Sequence, residues 1–458
     1  MENEDKTGMT GDKPKSLLFI SIDFPPARTS GIYRPVFFTK YLIEAGWDVT
    51  LLTASTHLST FADDSLFDDI HPRLNVIRTS APMPRRLTGR LYSKYQETTG
   101  KTAGDAANPS LKSRFYRILK KTILSPGFRI IDNFILIPDN YIIWSLKNLP
   151  TALRVIRKRK ITHLLVTSPP HSVQVLGLLL SFFTRVRYVT DFRNSWTDNQ
   201  PYLYHIRERF EKWLERKTLT RSRAVLNMSP GDVDRLLARM PDLPKDKLFV
   251  VTNGYNEGDF SRLKTAGAVD PSGPLRLVCV GSMYAHSGDS TAEALHIVAG
   301  KGYSSQHVIL DIIGFSDPTF DQLIDSYNVG HLVSNLGFKS HRELMDAYPS
   351  YDVLLLLTGG TAYYHPGAMP GKIFEYMRLG KPILHVGIEG TTQQMLSQWG
   401  PQVFVPLDNP HGIASAIIDL INRKKTASLL VEPNWDYARA FEWRCLARKV
   451  NDVLSAIV

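Results

Sequence analysis

A short segment near residue 371 places a basic and an acidic side chain directly after a tight turn. Pro370-Gly371 predicts the turn, and the residues that follow it have helical character. Backbone N–H groups of Gly371, Lys372 and Ile373 at a helix start, with the lysine ammonium beside them, are typical of a site for phosphate oxygens. Glu375 lies one turn further along, where its carboxylate can accept hydrogen bonds from ribose hydroxyls. The segment therefore predicts a nucleotide-linked substrate. The alternative is that the lysine is only solvated and that the glutamate only interacts favourably with the positive end of the helix.

Two further candidates follow strand-like runs in the first half of the chain. His171 comes after the apolar run 164–167, and Asp191 ends the run 186–190. The carboxyl ends of parallel strands meet at the edge of the sheet where α/β folds bind ligands. We therefore expect either side chain to be placed to take a proton from an acceptor hydroxyl. A packed histidine is the alternative for His171, and pairing with Arg193, which would favour an orienting role, is the alternative for Asp191.

The loop after the first predicted strand contains a glycine and an arginine. Gly31 would let the backbone approach a sugar or phosphate closely, since it has no Cβ. A glycine needed only for turn geometry is the alternative. Arg34 is expected to hold either the loop or an anion.

Apolar runs alternate with helical patterns twice along the chain, which predicts two parallel sheets covered by helices. In the first half the runs are 16–22, 48–53, 74–77, 164–167, 186–190, 224–228 and 248–252. After a polar, glycine- and proline-bearing break they are 275–280, 307–313, 335–338, 352–357 and 382–386. The predicted organisation is a disordered segment 1–15, a Rossmann-like domain 16–260 with a long loop or insertion at 80–114, a linker 261–274, a second Rossmann-like domain 275–434 and a helix 435–458.

Composition restricts the class of protein. The chain of 458 residues has 43% hydrophobic residues, enough for two cores and too many for a largely disordered protein. Its two cysteines, Cys279 and Cys445, lie far apart and predict neither a disulfide framework nor a metal site, so a reducing compartment is expected. No run reaches the ~18 apolar residues of a spanning helix, and the polar start lacks the apolar core of a signal peptide.

The formal net charge of +11 predicts an anionic partner surface. Basic residues cluster with aromatic and aliphatic ones at 112–121, a pattern that fits the face of an anionic membrane. A solvated basic helix is the alternative. Nucleic acid is not expected as a partner, since no nucleic-acid-binding signature is present.

Several segments resemble family 4 glycosyltransferases, in particular the subgroup that builds bacterial surface polysaccharides. The turn at 370–371 with Glu375 resembles the donor-binding segment of that family. The other segments, in matching order and spacing, are Phe24-Pro25-Pro26, Tyr33-Arg34-Pro35, Gly46-Trp47-Asp48-Val49, Pro138-Asp139, Ser168-Pro169-Pro170-His171-Ser172, Asp191-Phe192-Arg193 with Trp196, and Val251-Thr252-Asn253-Gly254-Tyr255. The resemblance spans nearly the whole chain and implies the GT-B fold: two facing Rossmann-like domains, with a C-terminal helix that crosses back to the first.

The resemblance also implies the chemistry. It implies a nucleoside-diphosphate sugar bound by the second domain and a lipid-linked or oligosaccharide acceptor held by the first. It further implies retention of anomeric configuration, no cofactor and no obligatory metal, in a cytoplasmic protein peripheral to the plasma membrane. Alternatives on the same fold are a nucleotide-sugar 2-epimerase and a catalytically silent scaffold protein.

Two positions depart from the family pattern. Gly367 stands where many relatives carry a glutamate, and Gly281-Ser282 stand where many carry an arginine and a lysine after the first strand of the second domain. Gly281 and Ser282 are still expected to line the donor site. Neutralisation of the leaving diphosphate, usually a large contribution in such transfers, would then fall on Lys372 and the helix start, with His286 and His365 as further candidates.

Overall fold

The computed structural model describes residues 15–55 apart from 28 and 30, 66–81, 136–198, 202, 204–263, 270–359 and 365–457. The predicted disordered segment 1–15 and long loop 80–114 fall almost entirely outside these residues. The basic cluster at 112–121 lies outside them as well.

The first half of the chain forms a seven-stranded parallel sheet in the order β3-β2-β1-β4-β5-β6-β7. Its strands are β1 Ser16–Ile20, β2 Asp48–Ala54, β3 Asn75–Thr79, β4 His163–Ser168, β5 Arg187–Phe192, β6 Ala224–Asn227 and β7 Leu248–Val250. Central strands such as β1 and β4 are buried along their whole length. Near-continuous apolar runs form such strands because helices cover both faces of a parallel sheet.

The second half forms a six-stranded parallel sheet in the order β10-β9-β8-β11-β12-β13. Its strands are β8 Leu275–Val280, β9 Val308–Ile313, β10 Val333–Asn335, β11 Val353–Leu357, β12 Ile383–Gly387 and β13 Gln402–Pro406. The edge strand β13 was not predicted, since its run of apolar residues is short and most of it is only partly buried.

Helices connect the strands and cover the faces of both sheets. In the first half they are α1 Tyr33–Glu44, α2 Ile142–Lys147, α3 Leu149–Lys158, α4 Ser172–Phe183, α5 His205–Arg221 and α6 Pro230–Arg239, followed by the short linker helix α7 Glu257–Phe260. In the second half they are α8 Ala285–Gly300, α9 Pro318–Ser326, α10 His341–Ala347, α11 Ile373–Leu379, α12 Thr391–Trp399 and α13 Pro410–Lys425. One-turn 3-10 helices lie at Phe67–Asp69, Lys245–Lys247, Gly330–Leu332 and Tyr348–Ser350.

The C-terminal segment crosses back to the first sheet, as the GT-B fold requires. After α14 (Trp435–Arg439), helix α15 (Trp443–Ala456) packs against α1. The indole of Trp443 stacks on Phe37 at 5.6 Å and meets Phe38 edge-on at 5.6 Å, and only 2% of its surface is exposed. The buried apolar face of α15 therefore completes the core on the α1 side of the first sheet.

The chain passes between the two halves twice, once at Tyr255 and once near Phe441, and these two segments lie side by side. The N–H of Tyr255 donates to the carbonyl of Phe441 (3.1 Å), and the N–H of Trp443 donates to the carbonyl of Tyr255 (3.0 Å). A Cβ on Gly254 would lie 2.2 Å from the carbonyl oxygen of Phe441, so the close approach requires glycine. No helix among the described residues is long and apolar enough to cross a membrane.

Candidate functional site

Loops at the carboxyl edges of the two sheets meet, and we call the boundary between these edges the cleft. Ser229, after β6, donates its hydroxyl to the carbonyl of Gly367, after β11, at 2.7 Å. On the other side of the cleft, the hydroxyl of Tyr33 lies 3.2 Å from Nδ1 of His341. Ligands bind at this edge in open α/β folds, so the cleft is the candidate site.

Lys372 and Gly281 meet at the end of β8. Lys372 is the N-cap residue of α11, and its ammonium donates to the carbonyl of Val280. Gly281 has a φ of +112°, and a Cβ there would lie 2.6 Å from Nζ of Lys372. Burial lowers the pKa of Lys372, because it penalises the charged form. The structure thus brings together two of the residues predicted to bind the donor, Gly281 and Lys372, although α11 and β8 are distant in sequence. Ser282, which follows Gly281, is exposed.

The two sequence neighbours of Lys372, Gly371 and Ile373, differ in exposure and in contacts. Gly371 is exposed, and a Cβ there would lie 3.5 Å from the amide of Asn253, which belongs to the segment joining the two halves. Ile373 is fully buried in the core, and its N–H donates to the carbonyl of Pro370. The turn therefore occurs as expected, but the Ile373 amide is already used within it.

Glu375 lies in a cluster of polar side chains that comes from three separate elements. Its Oε1 is 4.0 Å from Nδ1 of His341, and 17% of its side chain is exposed. Nε2 of His341 lies 3.2 Å from a carboxylate oxygen of Asp259 on α7. An ionised carboxylate only accepts, so Nε2 of His341 donates in this contact. Burial raises the pKa of Glu375, and Asp259 adds to this, while His341 and Lys372 oppose it.

The local sequence fixes His341 at the start of α10. Ser340 caps the helix by accepting from the N–H of Glu343, and the Glu343 carboxylate accepts from the N–H of Ser340, which completes a capping box. His341 is thereby held at the first helical position, 8% exposed, with its ring edge-on to Tyr33 at 5.4 Å. The capping box can be recognised in the sequence, but the contact across the cleft cannot.

Asp191 is held by Arg34, not by Arg193 as the sequence suggested. Nε and Nη2 of Arg34 donate to the two carboxylate oxygens of Asp191 at 2.8 and 2.7 Å. The same guanidinium donates to the carbonyls of Val251 (2.8 Å) and Thr252 (2.7 Å). Both side chains are almost completely buried, at 1% and 0% exposure. Arg34 therefore joins α1 to the ends of β5 and β7, and the geometry favours the orienting role that was left open for Asp191.

Arg193 instead links the loops that follow β1, β4 and β5. It donates to the carbonyl of Pro169 and pairs with Asp23 at 3.3 Å. Gly31 lies against this pair: a Cβ there would be 2.1 Å from Nη1 of Arg193 and 2.5 Å from the Asp23 carboxylate. The structure thus provides a packing reason for Gly31, and its approach to a sugar or phosphate stays a prediction.

His171 is a packed residue at the start of α4. Its ring stacks on Trp196 at 5.2 Å and is 7% exposed. Burial, and next the positive charge of Arg193, lower its pKa to about 3, so the imidazole is neutral at physiological pH. Among the described residues, Nδ1 has no hydrogen-bond partner. A neutral imidazole with a free nitrogen can accept a proton, but its burial requires the acceptor to reach into the fold.

The departure at Gly367 has a steric explanation. A Cβ on Gly231 would lie 2.7 Å from the Cα of Gly367, and a Cβ on Gly367 would lie 3.0 Å from the backbone of Gly231. Ser229 also accepts from the N–H of Asp232 (2.9 Å), as expected for a cap of α6. The segment from Ser229 to Asp232 is therefore a contact between the two halves, and a glutamate at 367 would not fit this approach.

Four residues of the cleft were not predicted as site residues: Asp23, Tyr33, Asp259 and His341. Tyr33 directly precedes Arg34, whereas His341 lies more than 300 residues from Tyr33 in sequence. Within the described part of the chain, no group of three or more His, Cys, Asp or Glu side chains is arranged to hold a metal ion.

Residues 274–423 match the family described as glycosyl transferases group 1. These residues contain β8 to β13 and the segment with Lys372 and Glu375. No curated protein sequence matches the chain.

Solved structures with similar folds cover nearly the whole chain at low sequence identity. Sucrose-phosphate synthase from Thermosynechococcus elongatus has a TM-score of 0.61 and 17% identity, with 96% of this chain and 98% of that chain covered. Anabaena HepE in complex with UDP-glucose has a TM-score of 0.59 and 12% identity, with 96% and 99% covered. WaaG, a glycosyltransferase involved in lipopolysaccharide biosynthesis, has a TM-score of 0.56 and 12% identity, with 96% and 100% covered. The chain has the GT-B fold, and the matched family and the fold together support a glycosyltransferase.

Proposed function

We propose that the chain transfers a sugar from a nucleoside-diphosphate sugar to a hydroxyl group of a glycan acceptor. Residues 275–434 would bind the donor and residues 16–260 the acceptor. The observation that carries the proposal is the convergence of Lys372 with the backbone of Gly281 on the same face of the cleft as Glu375. An ammonium group is suited to the diphosphate and a carboxylate to the ribose, so the two side chains match the two ends of a nucleotide.

Lys372 also offers a reason why the chain can lack a basic pair after β8. Its ammonium reaches the end of that strand from α11 and lies against Val280 and Gly281. We propose that this single charge neutralises the diphosphate as it leaves, with the exposed hydroxyl of Ser282 beside it. Positioned positive charge of this kind stabilises a transition state in which negative charge develops on the leaving group.

On the acceptor side we propose a lipid-linked glycan and a role in bacterial surface polysaccharide assembly, with retention of configuration. Support comes from the sequence segments shared with that subgroup and from the similarity to WaaG, whose description places it in lipopolysaccharide biosynthesis. The net charge of +11 favours peripheral association with the cytoplasmic face of an anionic membrane. Asp191 and His171 would orient or accept the reacting hydroxyl, and the pairing of Asp191 with Arg34 favours orientation.

The test is a two-stage assay on the full chain. Thermal shift against UDP-, GDP-, ADP- and TDP-sugars identifies the donor, because a specific ligand stabilises the folded state by mass action. The product of the best donor is then analysed with and without glycan acceptors. We expect nucleoside diphosphate to be released together with acceptor-dependent transfer of the sugar. A changed sugar epimer would instead indicate an epimerase, and donor binding without turnover would indicate a scaffold protein.

A further inference from the structure

A second cavity lies at the amino edge of the first sheet, on the side opposite the cleft. It has a volume of about 590 Å³ and is lined by the C-terminal ends of α4 and α5 and by residues just before β5, β6 and β7. We call it the basal cavity. Since β5 has six residues at ~3.3 Å each, its two ends, one at the basal cavity and one at the cleft, are roughly 16–20 Å apart. The basal cavity is therefore a separate place on the molecule.

Four cationic side chains line the basal cavity: Arg185, Arg221, Arg223 and Lys247. No carboxylate is among its lining residues. The ends of α4 and α5 contribute roughly half a negative charge each, or about one in total. The four cations outweigh these helix ends, so the cavity carries a net positive charge.

Two of the four cations donate hydrogen bonds to backbone carbonyls at the helix ends. Arg221 donates to the carbonyl of Ser181 (2.6 Å) near the end of α4, and Lys247 donates to the carbonyl of Thr220 (3.2 Å) near the end of α5. These contacts satisfy carbonyls that a helix C-terminus leaves unpaired. Capping therefore accounts for Arg221 and Lys247, but it leaves the other two cations unexplained.

Arg185 and Arg223 are the unexplained pair. Across the residues that the structure describes, neither guanidinium makes an ion pair or a hydrogen bond with another side chain. Both are exposed at the cavity, so an anion can reach them. Burial lowers the pKa of Lys247, and the positive charge of Arg223 lowers it further, while the adjacent carboxylate of Asp246 opposes both. Because no carboxylate lines the cavity itself, an anion bound there would reduce the repulsion among these like charges.

Two exposed phenylalanines end α4, directly before the lining residue Thr184, and one of them contacts a cation of the cavity. Phe182 and Phe183 are 58% and 62% exposed, and the guanidinium of Arg221 lies 5.0 Å from the ring centre of Phe182. The basal cavity thus combines charged donors with an exposed apolar edge, and its volume exceeds that of a phosphate ion alone. Sites for small molecules typically measure ~300–1,000 Å³.

We propose that the basal cavity binds a phosphate group that is carried on a larger molecule, with Arg185 and Arg223 as its main donors. Guanidinium groups recognise phosphate oxygens through paired N–H donors and stay charged at all physiological pH values. The phosphate can come from a lipid headgroup, with the phenyl rings in the apolar layer, or from a soluble phosphate ester. The inference does not depend on the proposed sugar transfer, because the basal cavity shares no residue with the cleft.

The first arm of the test uses soluble ligands. Binding of inorganic phosphate and of glycerol 3-phosphate to the full chain is measured by phosphorus NMR titration, in a Lys372→Ala background that removes the lysine of the cleft. We expect the double variant Arg185→Ser/Arg223→Ser to bind at least about tenfold more weakly. The matched control, Lys301→Ser/Lys425→Ser, removes two exposed charges from the second half of the chain and should leave the affinity unchanged. Equal binding by the two double variants would overturn the proposal.

The second arm identifies the source of the phosphate. Co-sedimentation is measured with vesicles of phosphatidylcholine alone and of phosphatidylcholine with 30% phosphatidylglycerol. A lipid source predicts that Phe182→Ser/Phe183→Ser reduces binding to the anionic vesicles severalfold while binding of glycerol 3-phosphate is unchanged. If the phosphate instead comes from a soluble ester, vesicle binding should be the same for the unmodified chain, for Phe182→Ser/Phe183→Ser and for Arg185→Ser/Arg223→Ser. Circular dichroism melting confirms that each variant folds, which is expected since the replaced side chains are exposed.

Discussion

At the residue scale, the carboxyl group of Glu375 is tuned by its surroundings. It is largely enclosed, lies 4.0 Å from His341, and has Asp259 as an acidic neighbour beyond that imidazole. Burial is the largest cause of its raised pKa. A ribose hydroxyl donates to the ionised form of a carboxylate, so the protonation state of Glu375 should control how tightly the donor binds.

Donor affinity should therefore depend on pH through Glu375. The group has an ordinary pKa near 4.5, and the folded chain raises it, so affinity should fall as the pH is lowered through a window above 4.5. Glu375→Gln should weaken binding by about 1.5–3 kcal/mol above that window, the usual contribution of a hydrogen bond to a charged group. It should also remove the pH dependence, because glutamine does not titrate.

Isothermal titration with the identified donor between pH 4.5 and 8 measures both effects. Asp419→Asn, on the outer side of α13 and 61% exposed, is the matched control and should bind as the unmodified chain does. A Glu375→Gln variant with unchanged affinity would remove Glu375 from the donor site.

Asp191 presents a second prediction at this scale, about stability. Asp191→Asn should lower the free energy of unfolding by about 3–5 kcal/mol, because Arg34 keeps a buried charge without its counter-ion. Urea denaturation followed by circular dichroism measures the change. Asp242→Asn breaks an exposed pair with Arg216 and should cost no more than about 1 kcal/mol. Native stability combined with a turnover loss of roughly 100-fold would instead assign Asp191 the role of general base.

At the element scale, the turn before α11 and the end of β8 form one unit. The ammonium of Lys372 occupies the space that a side chain at 281 would need, and Gly281 adopts a left-handed backbone conformation. On the other side of the cleft, the first turn of α1 carries both Tyr33, which reaches His341, and Arg34, which holds Asp191. The first turn of α1 thus contacts the predicted acceptor side through Arg34 and the predicted donor side through Tyr33.

The unit of Lys372 and Gly281 should recognise phosphate and not the nucleoside. Lys372→Ala and Gly281→Ala should each weaken binding of the diphosphate sugar at least about tenfold, or ~1.4 kcal/mol, and leave the affinity for the bare nucleoside almost unchanged. Gly302→Ala is the matched control: its φ is +87°, and a Cβ there would meet no atom within 4 Å. It shares the backbone strain of Gly281→Ala but should bind both ligands normally. Equal losses for nucleoside and diphosphate sugar would argue against phosphate contact.

At the scale of the whole molecule, the C-terminal helix belongs to the core of the first half. Trp443 packs against both Phe37 and Phe38 and is 2% exposed. The crossing segments beside it are linked through the backbone of Tyr255. The last helix therefore ties the C-terminal end of the chain to α1, whose first turn lies in the cleft.

Trp443→Ala should lower the free energy of unfolding by about 3–5 kcal/mol, since it leaves a large cavity between α1 and α15. Trp213→Ala, at a ring that is 50% exposed on α5, should cost far less. Urea denaturation followed by circular dichroism compares the two variants. Similar losses for both would show that α15 contributes little to the core.

The alternation of apolar runs with helical patterns was enough to predict two parallel sheets, because a run that is apolar throughout is stable only when it is covered on both faces. The facing arrangement of the two domains and the returning C-terminal helix were implied by the family resemblance. The turn at 370–371 and the helix after it could also be predicted, since each depends on residues that are close in sequence. The edge strand β13 could not, because its partly exposed positions weaken the apolar signal.

Only the tertiary structure decided which side chains meet. Arg34 pairs with Asp191 across 157 residues and Tyr33 contacts His341 across 308, whereas the sequence pointed to Arg193, two residues away from Asp191. Likewise, the crowding that explains Gly31 and Gly367 comes from loops of other strands. Local spacing determines how a segment folds, but a contact between distant segments depends on the packing of both sheets, and that packing is set by the whole chain.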